Sequence, residues 1–203
     1  MQTVRLLVID PAGAFSRLRA DGDLTSPMLF GIIVSWLCVL LSQLWNVVLS
    51  NTLGGALGDM DGLERLFQAP SILELVGVML LWPVVFVVIV FIGAGILHLC
   101  LMMVGAMAKT EVGFEGTLKV YVYATVSWLA LVIPFAGSFV GPLWHAVLLV
   151  IGFAKVHRTG QGRSLIAVLI PTIVCCLFIL GAGVLFGAVL YKVVEELIQQ
   201  GGL

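Results

Sequence analysis

The sequence predicts an all-α integral membrane protein: a five-transmembrane-helix bundle preceded by a short N-terminal amphipathic helix. Hydrophobic residues make up 61% of the chain and charged residues 10%, whereas a soluble domain carries about 25% charged residues. Four runs of 28 to 35 residues contain no Asp, Glu, Lys or Arg: 24–58, 75–108, 120–154 and 164–191. About 20 apolar helical residues cross a bilayer core, so each run is long enough to span it.

Residues 1–27 are predicted to form a cytoplasmic or interfacial arm. Asp10 can cap a helix that begins at Pro11. This helix has an apolar face and basic residues that can reach lipid headgroups: Ala14, Phe15 and Leu18 on the face, with Arg17 and Arg19 beside it. A disordered arm is the alternative.

The number of spans depends on which runs contain a turn. The run 75–108 would be about 51 Å long as one helix, so it must tilt, kink near Pro83 or project from the membrane. The run 120–154 holds a Pro/Gly cluster that predicts a tight turn: Pro134, Gly137, Gly141 and Pro142. Splitting only this run places eight of ten basic residues on the cytoplasmic side, and every other arrangement places six or four there. The positive-inside rule therefore favours five spans.

These boundaries divide the chain into an arm, a membrane domain and a tail. The membrane domain covers 28–192, with spans at 28–50, 75–104, 117–135, 138–155 and 165–190. The N-terminus is cytoplasmic, and the tail, 193–203, lies outside. The connecting segments are an acidic outer loop, 51–74, and two cytoplasmic loops, 109–119 and 155–164.

The segment 113–171 carries an ordered set of residues that resembles the Yip domain family of five-span membrane proteins. The set is Gly113-Phe114, Thr117-Leu118, Tyr123-Ala124, Ile133-Pro134, Gly137, Trp144, Gly152, His157, Ala167 and Pro171. Near the N-terminus, Asp10-Pro11, Phe15 and Pro27 are similar to bacterial members. Ser127 departs from the pattern, since many members place a proline there.

The resemblance implies a five-span topology with a cytoplasmic N-terminus, in agreement with the charge distribution. Eukaryotic members bind Rab-type GTPases through a long cytosolic N-terminal region and act in traffic between the endoplasmic reticulum and the Golgi. The arm here has only about 27 residues. The chain is therefore interpreted as a bacterial-type member, a multi-pass protein of the cytoplasmic (inner) membrane.

Polar residues within the predicted spans form a candidate intramembrane site. An ionisable side chain inside a membrane is a functional hypothesis by default. The candidates are Ser42, Gln43, Asn46, His98, Tyr121, Thr125 and His145. The histidines have two open interpretations. In the first they are functional, in a proton relay or in a metal site with Cys100. In the second they are neutral imidazoles hydrogen-bonded to a neighbouring helix. The amides and hydroxyls either join helices or line a polar cavity for a headgroup or solute.

A second candidate site is the basic loop 155–163. Its residues Lys155, His157, Arg158 and Arg163 suit contact with anionic lipids or docking of a protein partner. Separately, the small-residue pairs Gly137/Gly141 and Gly183/Gly187 permit close helix approach, within one chain or between two copies.

The functional prediction is a non-catalytic integral membrane protein of the Yip type that organises membrane partners or lipids. The alternative is a small transporter or lipid-translocating protein that uses the polar faces of the bundle. No catalytic or nucleotide-binding motif occurs, so no catalytic residue, metal or cofactor is expected. A net charge of −1 argues against nucleic acid. The expected partners are lipids, a membrane or cytoplasmic protein, or a second copy of the chain.

Overall fold

A computed structural model describes residues 2–19, 22–57, 70–107 and 112–199. These residues form helices without any strand, which confirms the all-α prediction. The elements are α1 (Gln2–Ile9), α2 (Pro11–Ser16), α3 (Thr25–Leu57), α4 (Ile72–Met103), α5 (Phe114–Ala124), a 3-10 segment (Thr125–Val132), α6 (Ala136–Val156) and α7 (Gln161–Gln199).

Within the described residues, four helices are long and apolar enough to cross a membrane. They are Thr25–Thr52 in α3, all of α4, all of α6, and Gln161–Glu196 in α7. They coincide with the first, second, fourth and fifth predicted spans. Both α3 and α7 continue beyond the predicted ends, and α7 extends through most of the predicted tail 193–203. Much of the outer loop 51–74, namely residues 58–69, lies outside the described residues.

The third predicted span, 117–135, differs from expectation. It consists of α5 followed by the 3-10 segment, and it is not one of the four long helices. Helix α5 begins at Phe114, inside the predicted loop 109–119. The two pieces together contact α3, α4 and α6, so this segment, which carries five hydroxyl groups, lies at the centre of the bundle. Central burial on several faces explains why it lacks the uniform apolar surface of a lipid-facing helix.

The predicted turn between the third and fourth spans is confirmed. Residues 133–135 connect the 3-10 segment to α6, and these two elements pack against each other as a hairpin. Phe135 takes a positive φ of 59° to reverse the chain. Gly137 is needed immediately afterwards, because a side chain there would overlap the carbonyl of Ala130. Pro134 and Gly137 thus serve the turn, whereas Gly141 and Pro142 lie within α6.

The N-terminal arm packs on the protein. Asp10 caps α2 as predicted, since its Oδ1 accepts from the Gly13 N–H at 2.9 Å. An additional helix, α1, precedes it. Phe15 is only 1% exposed, and its ring lies against Gly152 of α6. The side chain at the centre of the predicted lipid-facing surface is therefore covered by the bundle.

Packing is concentrated at one end of the bundle, called here the arm end because α2 contacts α6 there. Every described residue of α7 from 173 to 192 is exposed. A side chain at Gly183 or Gly187 would meet no described atom within 4 Å. This small-residue pair therefore makes no contact within the described chain.

Candidate functional site

The structure brings four of the seven predicted intramembrane residues to one cavity of about 420 Å³, called here the bundle cavity. It lies between α3, α4, the α5/3-10 segment and α6. The four residues are Ser42, Tyr121, Thr125 and His145. Asn46 lines a smaller cavity of about 160 Å³, to which Ser42 also contributes, and the Asn46 amide donates to Gln43 Oε1 at 3.4 Å. His98 lies elsewhere, so the predicted residues do not form a single site.

Aromatic rings dominate the wall of the bundle cavity. Trp82 and Phe86 come from α4, Tyr121 from α5, Trp128 from the 3-10 segment and His145 from α6. The Tyr121 and Trp128 rings lie 5.5 and 5.9 Å from the His145 ring, centroid to centroid. The indole Nε1 of Trp82 is buried without a hydrogen-bond partner among the described residues. The residues that line this cavity are therefore mostly apolar or aromatic.

His145 is held where the α-helix changes to 3-10 geometry. Its Nδ1 lies 3.0 Å from the Ala124 carbonyl and 3.2 Å from Ser127 Oγ. Because a carbonyl only accepts, Nδ1 must carry the hydrogen, and in the neutral ring Nε2 keeps a free lone pair. Helix α5 ends at Ala124 although the chain has Ser127 where many members of the family it resembles have a proline. The change from α-helical to 3-10 geometry after Ala124 therefore does not require a proline at position 127.

A second cavity of about 270 Å³ lies between α4, α6 and α7. Tyr121, Trp128 and His145 line both this cavity and the bundle cavity, so they form a wall between the two. Tyr121 fits there because α4 has Gly93, where an added Cβ would lie only 2.5 Å from the Tyr121 hydroxyl oxygen. Three ring side chains thus separate two spaces within the bundle.

Two tryptophans of α3 satisfy carbonyls that prolines leave open. Trp36 Nε1 donates to the Met79 carbonyl at 2.9 Å. In an α-helix that carbonyl would accept from residue 83, but Pro83 has no N–H. Trp45 Nε1 likewise donates to the Leu131 carbonyl at 3.1 Å. In the 3-10 pattern that carbonyl would accept from residue 134, which is also proline.

His98 belongs to a separate polar cluster at the arm end, called here the His–Thr–His cluster. Thr117 Oγ1 lies 2.9 Å from His98 Nδ1 and 3.0 Å from His157 Nε2. Thr117 and His157 are fully buried. Burial, reinforced by the nearby His98, lowers the pKa of His157 to about 4. The cluster joins α4, α5 and the end of α6 through neutral imidazoles, and no group of metal-ligating residues occurs in the described part of the chain.

The basic loop is exposed except at one predicted position. Lys155, Arg158 and Arg163 face outward, and Arg163 donates to the Gly105 carbonyl at 3.3 Å. His157 points inward and has no exposed surface, so it cannot contribute to a docking surface. Its imidazole belongs to the His–Thr–His cluster instead, because the Thr117 hydroxyl on α5 lies within hydrogen-bond distance.

Lys119 was predicted to flank a cytoplasmic loop, but it is a buried part of α5. Only 3% of it is exposed, and its Nζ donates to the carbonyls of Arg19 and Gly22 at 3.2 Å each. A cavity of about 460 Å³ separates parts of the arm from α3 and α5 beside this contact. Two backbone carbonyls thus accept hydrogen bonds from the Lys119 ammonium group, which the sequence pattern predicts to be exposed to water.

The sequence prediction missed Thr117, Lys119 and Trp82 as members of these sites. Thr117 and Lys119 could have been suspected from polar residues recurring on several faces of one short segment. The orientation of Trp82 has no comparable signal, because it depends on how α3 and α4 pack around Pro83.

A protein-family model described as the Yip1 domain matches residues 5–183. No curated protein and no solved structure matches the chain. The matched range includes residues 5–27 of the arm, the bundle cavity, the 270 Å³ cavity and the His–Thr–His cluster. It also contains the segment 113–171, so the resemblance inferred from that segment is confirmed.

Proposed function

Because the chain belongs to the Yip1 domain family, a family of membrane proteins, we propose that it is a non-catalytic, five-span organiser of lipids or protein partners. The observation that carries this proposal is the exposure of residues 173–192, called here the outer part of α7. Residues 173–192 are exposed on all sides, whereas the arm end of the bundle is closely packed. A helix that leaves its own bundle offers its whole circumference to other membrane components.

Five spans require that the α5/3-10 segment crosses the bilayer. Its eleven α-helical and eight 3-10 residues extend roughly 32 Å, about the thickness of the hydrocarbon core. The N-terminus is then cytoplasmic and the C-terminus outside, in a bacterial cytoplasmic membrane. Reporter fusions at the two ends test this: opposite sides support five spans, and the same side supports four.

Site-specific photocrosslinking tests the organising role. A photoreactive residue at Leu177 or Leu185, both exposed in α7, is expected to give discrete adducts with lipid or protein. The same residue at Leu148, which is fully buried, is the control and is expected to give none. Equal labelling at all three positions, or no adduct at either α7 position, would contradict the proposal.

A second candidate function is translocation of a lipid or small solute. It is favoured by the two cavities on either side of the Tyr121, Trp128 and His145 wall. Purified protein in liposomes tests it directly. Flux that disappears in His145→Ala, while the protein stays folded, would support translocation. Flux no greater than in empty liposomes would exclude it and leave the organising role.

A further inference from the structure

We propose that the cavity between the N-terminal arm and the bundle binds the phosphate headgroup of an anionic phospholipid. This space, called here the arm cavity, has a volume of about 460 Å³, within the usual range for small-molecule sites. Its walls come from α1, α2, the start of α3 and one face of α5. Such binding rests on the organising role proposed above and names one class of lipid for it.

The arm cavity lies at the level of the lipid headgroups. The first candidate span, Thr25–Thr52, has 28 residues and rises about 42 Å, close to the bilayer thickness with its headgroup regions included. Its first residues therefore lie in a headgroup region, and Ser26 among them lines the cavity. On another wall, α1 exposes Val8 and Ile9, which acyl chains can cover. The cavity thus borders both headgroups and acyl chains.

The charges of the described lining favour an anion. It carries three basic residues, Arg17, Arg19 and Lys119, and one acidic residue, Asp23. The Asp23 carboxylate is engaged at the start of α3, because its Oδ1 accepts from the Thr25 N–H at 2.8 Å. Both arginines are exposed, and within the described chain neither guanidinium has a hydrogen bond or an ion pair. An occupant can therefore reach them, and a phosphate suits their paired N–H donors.

The apolar part of the lining favours a lipid over other anions. It includes Leu6 and Leu7 of α1, Leu18 after α2, Pro27 of α3 and Tyr123 of α5. Inorganic phosphate would contact only the charged edge and leave these side chains uncovered. An acidic peptide would place backbone N–H and C=O groups against mainly apolar side chains. A phospholipid fits both parts, with its phosphate at the arginines and its glycerol and upper acyl chain against the apolar wall.

Lys119 holds the arm in the position that forms this cavity. Its Nζ donates to the carbonyls of Arg19 and Gly22, and both of these residues line the cavity. The two hydrogen bonds tie the segment between α2 and α3 to α5. Lys119 is therefore a positioning residue, whereas Arg17 and Arg19 contact the phosphate.

Photolabelling of the purified full-length chain in detergent tests this site. The probe is a phosphatidylglycerol with a diazirine on an acyl chain, close to the glycerol. Adducts are expected in peptides from α1, residues 17–27 or α5, and unlabelled phosphatidylglycerol should displace the probe more effectively than phosphatidylcholine. The double variant Arg17→Gln/Arg19→Gln should raise the phosphatidylglycerol concentration at half-displacement about tenfold.

Lys155→Gln/Arg158→Gln is the matched control for that variant. It removes the same charge from the same end of the bundle, and both residues are exposed but neither lines the arm cavity. Its concentration at half-displacement should stay within about twofold of the value for the unsubstituted chain.

Three results would overturn the proposal. The first is equal displacement by phosphatidylcholine, which would show a cavity filled by bulk lipid. The second is an equal effect of the two double variants, which would show a general response to surface charge. The third is displacement by inorganic phosphate or by an acidic peptide as effective as by phosphatidylglycerol.

Two further comparisons keep these results interpretable. If Arg17→Gln/Arg19→Gln fails to fold, Leu6→Trp fills part of the arm cavity, keeps both arginines and should also lower the labelling there. Failure of the organising role has a different signature. Absence of adducts at Leu177 and Leu185, with displaceable labelling at the arm cavity, would contradict that role and leave the lipid site standing.

Discussion

At the scale of single residues, the hydroxyl of Thr117 has one hydrogen and two imidazole neighbours. It can donate to only one of them, so at least one of the two facing nitrogens must carry a hydrogen and donate to Thr117 Oγ1. The tautomers of His98 and His157 are therefore coupled, because the state in which both facing nitrogens lack a hydrogen is excluded. The two histidines therefore act as one unit that joins three helices.

Thr117→Val should destabilise the protein because it keeps the side-chain shape but leaves two imidazole nitrogens without a partner. Each buried polar group left unpaired costs about 1–3 kcal/mol. Thermal or denaturant unfolding in detergent measures the loss. Thr125→Val is the control, since the Thr125 hydroxyl donates to the Val122 carbonyl only three residues earlier and joins no other helix. A smaller loss for Thr117→Val than for this control would contradict a structural role for the cluster.

Acidification should destabilise the protein through His157. Its folded-state pKa of about 4 lies below the ordinary value of 6.5, so the unfolded chain binds the proton first as the pH falls. The free energy of unfolding should be constant above pH 6.5 and decrease between pH 6.5 and 4. The decrease is at most about 3 kcal/mol from this group. Unfolding measured over that range should show a shallower slope in His157→Asn, and an unchanged slope would refute the assignment.

At the scale of elements, prolines and tryptophans on different helices complement each other. Pro83 leaves the Met79 carbonyl of α4 without its helical N–H donor, and Pro134 does the same to the Leu131 carbonyl in the 3-10 segment. Two indoles of α3, Trp36 and Trp45, donate to these carbonyls. Helix α3 therefore determines where its neighbours can bend. The charge-free runs located these helices well, but the indole contacts depend on helix rotation, which hydropathy does not encode.

The Trp36 hydrogen bond should matter only while Pro83 is present. Trp36→Phe leaves the Met79 carbonyl unpaired and should lower the free energy of unfolding by about 1 kcal/mol. In Pro83→Ala the new N–H can take that carbonyl, so the same substitution should cost less. A double-mutant cycle measures this coupling. Trp45→Phe in both backgrounds is the control, because its acceptor is the Leu131 carbonyl, which Pro134 and not Pro83 leaves open, and it should show no coupling to residue 83.

Gly93→Ala should disturb the wall between the cavities. The added methyl would overlap the Tyr121 hydroxyl and ring, and overpacking of this kind costs about 1–3 kcal/mol. Gly95→Ala, which meets no described atom within 4 Å, is the matched control and should not destabilise the protein. Tyr121→Phe should recover part of the loss, which unfolding of the double variant measures. Equal stability of Gly93→Ala and Gly95→Ala would mean that the Tyr121 ring does not lie against Gly93.

At the scale of the whole molecule, one end of the bundle is packed and the other is open. The sequence predicted spans at the four long helices and a turn in the Pro/Gly cluster 134–142, which the structure has at 133–135, because charge-free length and Pro/Gly clusters are local signals. It could not predict that Lys119 is buried, because a lysine is ordinarily assigned to water and its carbonyl acceptors lie in a distant arm. It also could not foresee that Ser42, Tyr121 and His145 share a cavity while His98 does not.

Substitutions in the outer part of α7 should leave monomer stability unchanged. Gly183→Leu adds a large side chain where no described atom lies within 4 Å, so its effect on unfolding should stay within about 0.5 kcal/mol. Gly137→Leu is the contrasting variant and should be strongly destabilising, because its position faces the Ala130 carbonyl. Unfolding of the detergent-solubilised monomer compares them. A loss of more than about 1 kcal/mol in Gly183→Leu would reveal packing of this segment within the chain.

The contact between the arm and Lys119 has a consequence for biogenesis. Arg19 and Lys119 are 100 positions apart, so the ribosome makes the carbonyl acceptors long before it makes the cation. Until α5 is synthesised, the arm has no lysine to hold it, and two complete hydrophobic helices are already available for insertion. The arm is therefore translated well before the contact with Lys119 can form, and closure of the arm end follows the synthesis of α5.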